Sequence, residues 1–120
     1  MLKGEAAAIT EQPKDVTSLP ALPAKVEAAI DRSLFAAFAA AASPNTLRAF
    51  RADVLAFELW CWREEAQLLP ASPETVAGFL KFRAGEGAAP ASLARYKAPI
   101  AKLHRLCRVA DPCQDERVKL

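Results

Sequence analysis

The chain has 120 residues, of which 52% are hydrophobic and 25% charged, and its 16 basic and 14 acidic side chains give a net charge of +2. That length holds one domain with one modest core, and an alanine-rich composition without alternating apolar runs predicts an all-α fold. No apolar run approaches the roughly 18 residues that a membrane span requires, and residues 1–10 lack a signal peptide's apolar segment. We therefore expect a soluble, cytoplasmic protein with no membrane partner.

The first third of the chain divides into an arm and a helix. Prolines and mixed charges predict that residues 1–23 form a flexible N-terminal arm. Residues 24–42 are rich in alanine, and larger apolar side chains recur there at four-residue spacing, which predicts a first amphipathic helix with Val26, Ile30, Leu34 and Phe38 on its stripe. Phe35 lies off that stripe, so part of the helix surface suits a partner subunit or a further domain.

A long second helix is predicted to start at Ser43-Pro44, because serine caps an orphan amide and proline suits the first helical position. It should run to about Glu65, burying a stripe formed by Leu47, Phe50, Val54, Phe57 and Cys61. Arg48 lies off this stripe with Ala52, and Arg51 stands at its margin. The start of the helix therefore combines two arginines with a positive dipole end and free amides, which favours anion binding.

Two further helices complete the predicted domain, which spans residues 24–112. The third starts at Ser72-Pro73 and runs to about Ala84, where Gly85 is expected to end it by adopting a positive φ. The fourth runs from Pro90 to Arg108, and Pro99 within it predicts a kink or two abutting segments. Residues 113–120 form either a linker or the start of another helix.

The fourth helix carries the strongest functional signal. Between Gly87 and Ala110 there are five basic residues and no acidic one, which leaves 11 basic and 14 acidic residues elsewhere. At about 100° per residue, an apolar stripe is formed by Leu93, Tyr96, Ile100, Leu103 and Cys107, and the opposite side carries Arg95, Ala98, Lys102 and Arg105. A basic face of this kind could bind a polyanion such as nucleic acid. The competing interpretation is that the basic side chains are only solvated and bind no ligand.

Motifs for catalysis, metal binding and cofactor binding are missing from the sequence. No nucleophile and base pair can be nominated, and there is no glycine-rich phosphate loop, so no cofactor or small-molecule substrate is predicted. The three cysteines are odd in number and lack paired spacing, and His104 with Cys107 and Cys113 matches no standard zinc site. We expect His104 to flank the core or touch a phosphate. Tyr96, Trp60 and Trp62 are expected to pack against neighbouring helices rather than stack on bases.

Several segments together resemble a known family. They are Phe57-Glu58-Leu59-Trp60-Cys61, Leu69-Pro70-Ala71-Ser72-Pro73-Glu74-Thr75-Val76, Phe79-Leu80, Ala91-Ser92-Leu93, Ile100-Ala101-Lys102-Leu103-His104-Arg105 and Asp111-Pro112. Over roughly residues 25–120 this series is similar to the N-terminal, SAM-like core-binding domain of tyrosine recombinases and phage integrases. The resemblance implies a small SAM-like bundle of four, possibly five, helices that clamps one side of double-stranded DNA.

The resemblance also implies which residues meet DNA. The second and fourth helices would lie across major grooves, with Thr46, Arg48, Ala49 and Ala52 facing DNA on one, and Ala91, Ser92, Arg95 and Pro99 on the other. Arg95 is the side chain expected to reach a guanine edge, and phosphate contacts are expected from Arg48, Arg51, Lys102 and Arg105. The first helix would contact neighbouring protomers on DNA. The family's catalytic domain would follow this module and is absent from the 120 residues, so the chain itself is not expected to be an enzyme.

Two hypotheses of different class follow. The first is duplex DNA binding as the core-binding domain of a site-specific recombinase, taking part in DNA integration and recombination. The second is a helical protein-interaction module that uses the apolar surface of its first helix and has no nucleic-acid role.

Overall fold

The computed structural model describes residues 22–119, which form helices joined by short connections and contain no β-strand. The helices are α1 (Ala24–Ala29), α2 (Arg32–Ala41), α3 (Pro44–Arg63), α4 (Pro73–Gly85) and α5 (Pro90–Leu106), and a short 3-10 helix follows at Pro112–Gln114. The predicted all-α bundle is thus confirmed, with five α-helices among the described residues. Most of the predicted N-terminal arm, residues 1–21, lies outside the described part of the chain.

The predicted first helix is wrong in one respect, because the chain breaks it at Ile30 and Asp31. Ile30 is extended, with φ −71° and ψ 140°, and Asp31 caps α2 by accepting a hydrogen bond from the Leu34 amide at 3.0 Å. The backbone N–H of Asp31 is donated to the carbonyl of Leu106 at 2.8 Å. An aspartate that finds partners outside its own helix favours a cap over a helix interior.

The two Ser-Pro starts are confirmed by the hydrogen bonds they form. Ser43 accepts the amide of Thr46 at 3.1 Å to begin α3, and Ser72 accepts the amide of Thr75 at 3.0 Å to begin α4. In both helices proline occupies the first turn. A backbone N–H at that position would have no acceptor within the helix, so proline, which lacks the N–H, costs no helical hydrogen bond there.

Helices α3, α4 and α5 end in the same way, with a left-handed residue that lies two positions later after α4 than the sequence predicted. Gly85 is still helical, and Gly87 is the residue with positive φ, at 100°. Glu65 after α3 and Arg108 after α5 adopt the same left-handed conformation, with φ of 56° and 57°. Each is followed by an amide that bonds five residues back, from Ala66 to Cys61, Ala88 to Arg83 and Val109 to His104. These are Schellman motifs, in which the left-handed residue is usually glycine.

Helix α5 runs as one element through Pro99, so the alternative of two abutting segments is wrong. Proline donates no backbone hydrogen bond, and the carbonyl of Arg95 therefore lacks its usual helical donor. The helix ends at Leu106, two residues before the predicted Arg108, because Cys107 caps it and Arg108 turns left-handed.

The core lies where α3, α4 and α5 meet. Phe79 of α4 packs edge-to-face on Phe57 and Trp60 of α3, with ring centroids 5.1 and 5.7 Å apart. From α5 the core receives Ile100, Leu103 and Leu106. Of the stripe predicted for α3, Phe50, Val54, Phe57 and Cys61 are buried, whereas Leu47 is only half-buried. Trp62, in contrast, is 75% exposed, so the expectation that it packs on a neighbouring helix is wrong.

The core extends beyond the predicted limits of the domain at both ends. Leu22, assigned above to the arm, is buried, and so is Val118, assigned to the linker segment. The 3-10 helix at Pro112–Gln114 packs against α4 and α5. Within residues 22–119, no helix combines the length and apolarity needed to cross a bilayer.

His104 is fully buried, which confirms a core position for it. Its Nε2 accepts the backbone N–H of Ala71 at 2.9 Å, and its Nδ1 lies 2.8 Å from the carbonyl of Ile100, to which it donates. Both ring nitrogens are thereby engaged, so neither is available to a phosphate or a metal ion. Among residues 22–119, no three metal-ligating side chains cluster together.

Candidate nucleic-acid interface

Two matched helix faces meet on one side of the bundle. On α3 the face comprises Thr46, Ala49, Phe50 and Asp53, and on α5 it comprises Arg95, Ala98, Pro99 and Lys102. Both sets follow the i, i+3, i+4, i+7 spacing that puts side chains on one side of a helix. Together with Phe38 of α2 they line a groove of about 300 Å³, which we call the α3–α5 groove. It brings together five of the residues predicted to face or contact DNA, which are Thr46, Ala49, Arg95, Pro99 and Lys102.

Each of the two cations of the groove lies over an aromatic ring. The guanidinium carbon of Arg95 lies 5.1 Å from the ring centroid of Tyr96, and the ammonium of Lys102 lies 4.6 Å from that of Phe38. Within residues 22–119, neither cation forms an ion pair with a carboxylate. Their charge is therefore available to an anion that enters the groove.

The start of α3 is less open to anions than the sequence suggested. Pro44 has no amide hydrogen, and the amide of Thr46 is already donated to Ser43. Arg48 is exposed and donates a hydrogen bond to the Asn45 side chain at 2.7 Å. Arg48 is not one of the residues that line the groove. The expectation of several free amides at this terminus is corrected accordingly.

Arg51 faces α2 instead of the groove. Its guanidinium carbon lies 5.8 Å from the ring centroid of Phe35, and its buried Nε has no hydrogen-bond partner in the described part of the chain. Ala52, its neighbour, is exposed, but it does not line the groove either. Arg51 thus packs α3 against α2 and is not part of the basic surface at the groove.

The remaining basic residues of the fourth predicted helix are divided among other surfaces. Arg105 is exposed and lies 3.9 Å from the carboxylate of Asp111, outside the groove. Arg108 pairs with Asp31, and Lys97 approaches the carbonyl of Val118 at 3.5 Å. A helix turns about 100° per residue, so ten residues separate Arg105 from Arg95 by about 80° around α5. Ser92, in the first turn, is half-buried and also does not line the groove.

Asp53 is the groove residue that the sequence analysis missed. It is half-buried, and burial raises the pKa of its carboxyl group, while the nearby charges of Arg95 and Arg83 act in the opposite direction. A carboxylate is not expected on a face that meets the phosphate backbone, because the two charges repel each other. The spacing from Thr46 to Asp53, seven residues along α3, was the signal available to find it.

The chain matches one known protein family over most of the described residues. Residues 35–108 match the family model described as the N-terminal SAM-like domain of phage integrase. The matched range contains every residue that lines the α3–α5 groove. No curated protein and no solved structure matches the chain significantly.

Proposed function

Because this chain belongs to the family of phage integrase N-terminal SAM-like domains, we propose that it binds double-stranded DNA as the core-binding domain of a site-specific tyrosine recombinase or integrase. It would take part in DNA integration and recombination in the cytoplasm. The observation that carries the proposal is the α3–α5 groove, where Arg95 and Lys102 stand without carboxylate partners among residues 22–119.

The proposed contact residues have different roles. Arg95 is exposed on a face lined by alanines, so α5 is slim enough there to enter a major groove about 12 Å wide and reach a guanine edge. Lys102 and Arg48 would bind phosphates on either side, and Arg105 would extend the contact along α5. Thr46, Ala52 and Ser92 would approach the backbone closely, and Arg51 would support the start of α3.

The proposal assigns DNA binding and no strand cleavage to these residues. Tyr96 is the sole tyrosine of the chain, and its ring lies beneath the guanidinium groups of Arg83 and Arg95, at 4.4 and 5.1 Å. It is half-buried and serves as a support for the basic face. The catalysis of recombination would require a domain other than this one.

The salt dependence of DNA affinity tests the proposal. We expect log affinity for a short duplex to fall linearly with log salt at a slope of about −3 to −5, since each neutralised phosphate contributes about −0.9. Lys102→Ala should make the slope shallower by about one unit. Lys81→Ala removes the same charge from an exposed position on α4, outside the groove, and should leave the slope unchanged. A slope near zero for the unaltered chain would contradict the proposal.

Self-association on DNA in the full-length protein is a second part of the proposal. Helix α2 buries none of its residues completely, although eight of its ten residues are apolar, and Ala36, Ala37, Ala40 and Ala41 are exposed. A neighbouring copy on the same DNA would cover that surface. Sedimentation of the full-length protein with a duplex carrying two sites should show a dimer that Ala37→Glu abolishes while single-site binding persists.

A different function is favoured by one observation. Trp62 and Leu59, on the C-terminal half of α3, are 75% and 52% exposed. A helical protein-interaction module would use such residues and would need no nucleic acid. Nuclear magnetic resonance titration with a short duplex separates the two functions, because DNA binding perturbs the amides from Arg95 to Lys102, whereas an interaction module leaves them unchanged.

A further inference from the structure

A carboxylate lies within the basic face. Asp53 lines the α3–α5 groove together with Arg95 and Lys102. Its oxygens accept no hydrogen bond and form no ion pair with any of residues 22–119, even though the side chain is half-buried. Both oxygens therefore retain acceptor capacity that the fold does not use.

This position is unfavourable for a purely structural aspartate. Burial disfavours the ionised carboxylate, which is why the pKa of Asp53 is raised, and the charges of Arg95 and Arg83 offset that effect in part. Arg83 already stacks on Tyr96, at 4.4 Å from the ring centroid, and pairs with Glu86 at 3.5 Å. A partly desolvated acceptor without a protein partner, placed in a binding face, is typical of a group that acts on a ligand.

The chemistry of DNA restricts what such a group can contact. A carboxylate repels phosphate, so Asp53 favours binding modes in which a base edge and not a phosphate lies next to its side chain. In the major groove, the hydrogen-bond donors are the amino groups of cytosine and adenine. The charge of Arg95 is close enough to lower the pKa of Asp53, and the base that arginine binds most often is guanine, through O6 and N7. A G·C pair presents both acceptors and a donor on one edge.

We propose that Asp53 is a specificity-determining residue of this interface, which reads one G·C pair jointly with Arg95. Asp53 accepts a hydrogen bond from the cytosine N4 amino group, and Arg95 donates to O6 and N7 of the paired guanine. The inference rests on the proposed function, because it concerns the same DNA-binding face. Beyond the proposed function, the inference states which base pair the face prefers and which residue determines that preference.

Selection from a pool of duplexes with randomised sequence tests this inference with the full chain. The unaltered protein should enrich duplexes with G·C at one position. Asp53→Ala, which removes the acceptor, and Arg95→Ala should both lose the preference at that same position, with discrimination falling about 5- to 150-fold, the value of a good base contact. Glu64→Gln removes one negative charge from an exposed position outside the groove and should leave the preference unchanged.

The possible failures are distinguishable. If the unaltered chain binds no duplex, the proposed function fails, and this inference fails with it. If the chain binds and selects a site while Asp53→Ala keeps the same base at every position, only the inference is overturned. Preference for A·T at the position sensitive to Asp53, or separate positions for Asp53 and Arg95, would overturn the joint reading of one G·C pair.

Loss of folding does not obscure the result. Asp53→Ala removes a charge that burial disfavours, and alanine is a strong helix former within α3, so its thermal unfolding midpoint at pH 7 should equal or exceed that of the unaltered chain. A folded Asp53→Ala that still selects G·C would contradict the proposal.

Discussion

Arg108 and Asp31 connect the end of α5 to the break between α1 and α2. The Nε of Arg108 donates to a carboxylate oxygen of Asp31 at 2.6 Å, across 77 residues of sequence. The other carboxylate oxygen of Asp31 accepts the amide of Leu34, and its own amide is donated to Leu106. The side chain and backbone of Asp31 together begin α2 and attach the junction between α1 and α2 to the end of α5.

Substitution of Asp31 should separate its cap from its ion pair. Asp31→Asn retains a good helix cap and loses the charge, whereas Asp31→Ala loses both, so the thermal unfolding midpoint should fall in the order unaltered chain, asparagine variant, alanine variant. Arg32→Ala, at the next position, is the control and should have little effect because Arg32 is exposed. Equal midpoints for all four proteins would show that the break between α1 and α2 does not depend on Asp31.

The same residue predicts sensitivity to acid. The hydrogen bond from Arg108, followed by the Leu34 amide, holds the pKa of Asp31 well below its usual range in the folded protein. Its stabilising contribution is therefore complete above the unfolded pKa of about 3.9 and is lost as pH falls below that value. Asp31→Asn should be less sensitive to a change from pH 5 to pH 3 than the unaltered chain, as measured by urea unfolding.

His104 predicts a second pH dependence, at higher pH. Burial lowers the pKa of its imidazole, so the unfolded chain takes up a proton before the folded chain does. The free energy of unfolding should therefore be highest above the unfolded pKa of about 6.5, decrease as pH falls below it, and level off below the folded pKa. Urea unfolding between pH 7.5 and pH 5 measures this decrease.

Replacing His104 should remove that pH dependence and lower stability overall. His104→Phe keeps an aromatic ring in the core but leaves the buried amide of Ala71 without an acceptor, which costs about 1–3 kcal/mol of unfolding free energy. Its stability should change little between pH 7.5 and pH 5. A phenylalanine variant that loses stability with acid as the unaltered chain does would assign the effect to another group.

Glu65 offers a site for stabilisation. It follows α3 in the left-handed conformation, with φ of 56°, where a side chain is unfavourable by about 1 kcal/mol. Glu65→Gly should raise the free energy of unfolding by up to that amount. The adjacent Glu64 has φ of −89°, so Glu64→Gly gains nothing from glycine's freedom and should lower stability. The two variants change neighbouring residues of the same type, and unfolding measurements should show opposite signs.

The two cations of the α3–α5 groove should differ in their effects on DNA binding. Arg95→Ala should weaken the free energy of DNA binding by about 1–3 kcal/mol and relax the sequence preference, because arginine forms hydrogen bonds with base edges. Lys102→Ala should weaken binding to all sequences alike, since lysine contacts phosphate as a point charge. Fluorescence anisotropy with a selected duplex and a scrambled duplex distinguishes these outcomes. Equal losses on both duplexes for Arg95→Ala would remove it from base recognition.

Local chemistry made several features predictable. Ser43-Pro44 and Ser72-Pro73 mark helix starts because the caps they form involve residues only three positions apart. The buried stripe of α3 follows from its periodicity, which depends on the helix alone. The motif series was sufficient to identify the family. Each of these depends on residues that are close in the sequence or on a pattern within one element.

The tertiary structure decided the features that depend on distant partners. The sequence shows Asp31 in an alanine-rich run, but its partners Leu106 and Arg108 are brought to it only by the packing of α5. The same packing placed Lys102 and Asp53 on facing helices, so an acidic residue lies in the groove beside the cations of α5. Its spacing from Thr46 put it on one face of α3, but only the packing of α5 against α3 showed which face forms the groove. Composition and periodicity determined which faces the helices possess. Which faces meet depends on how the core packs, because contacts between helices are set by side chains far apart in the chain.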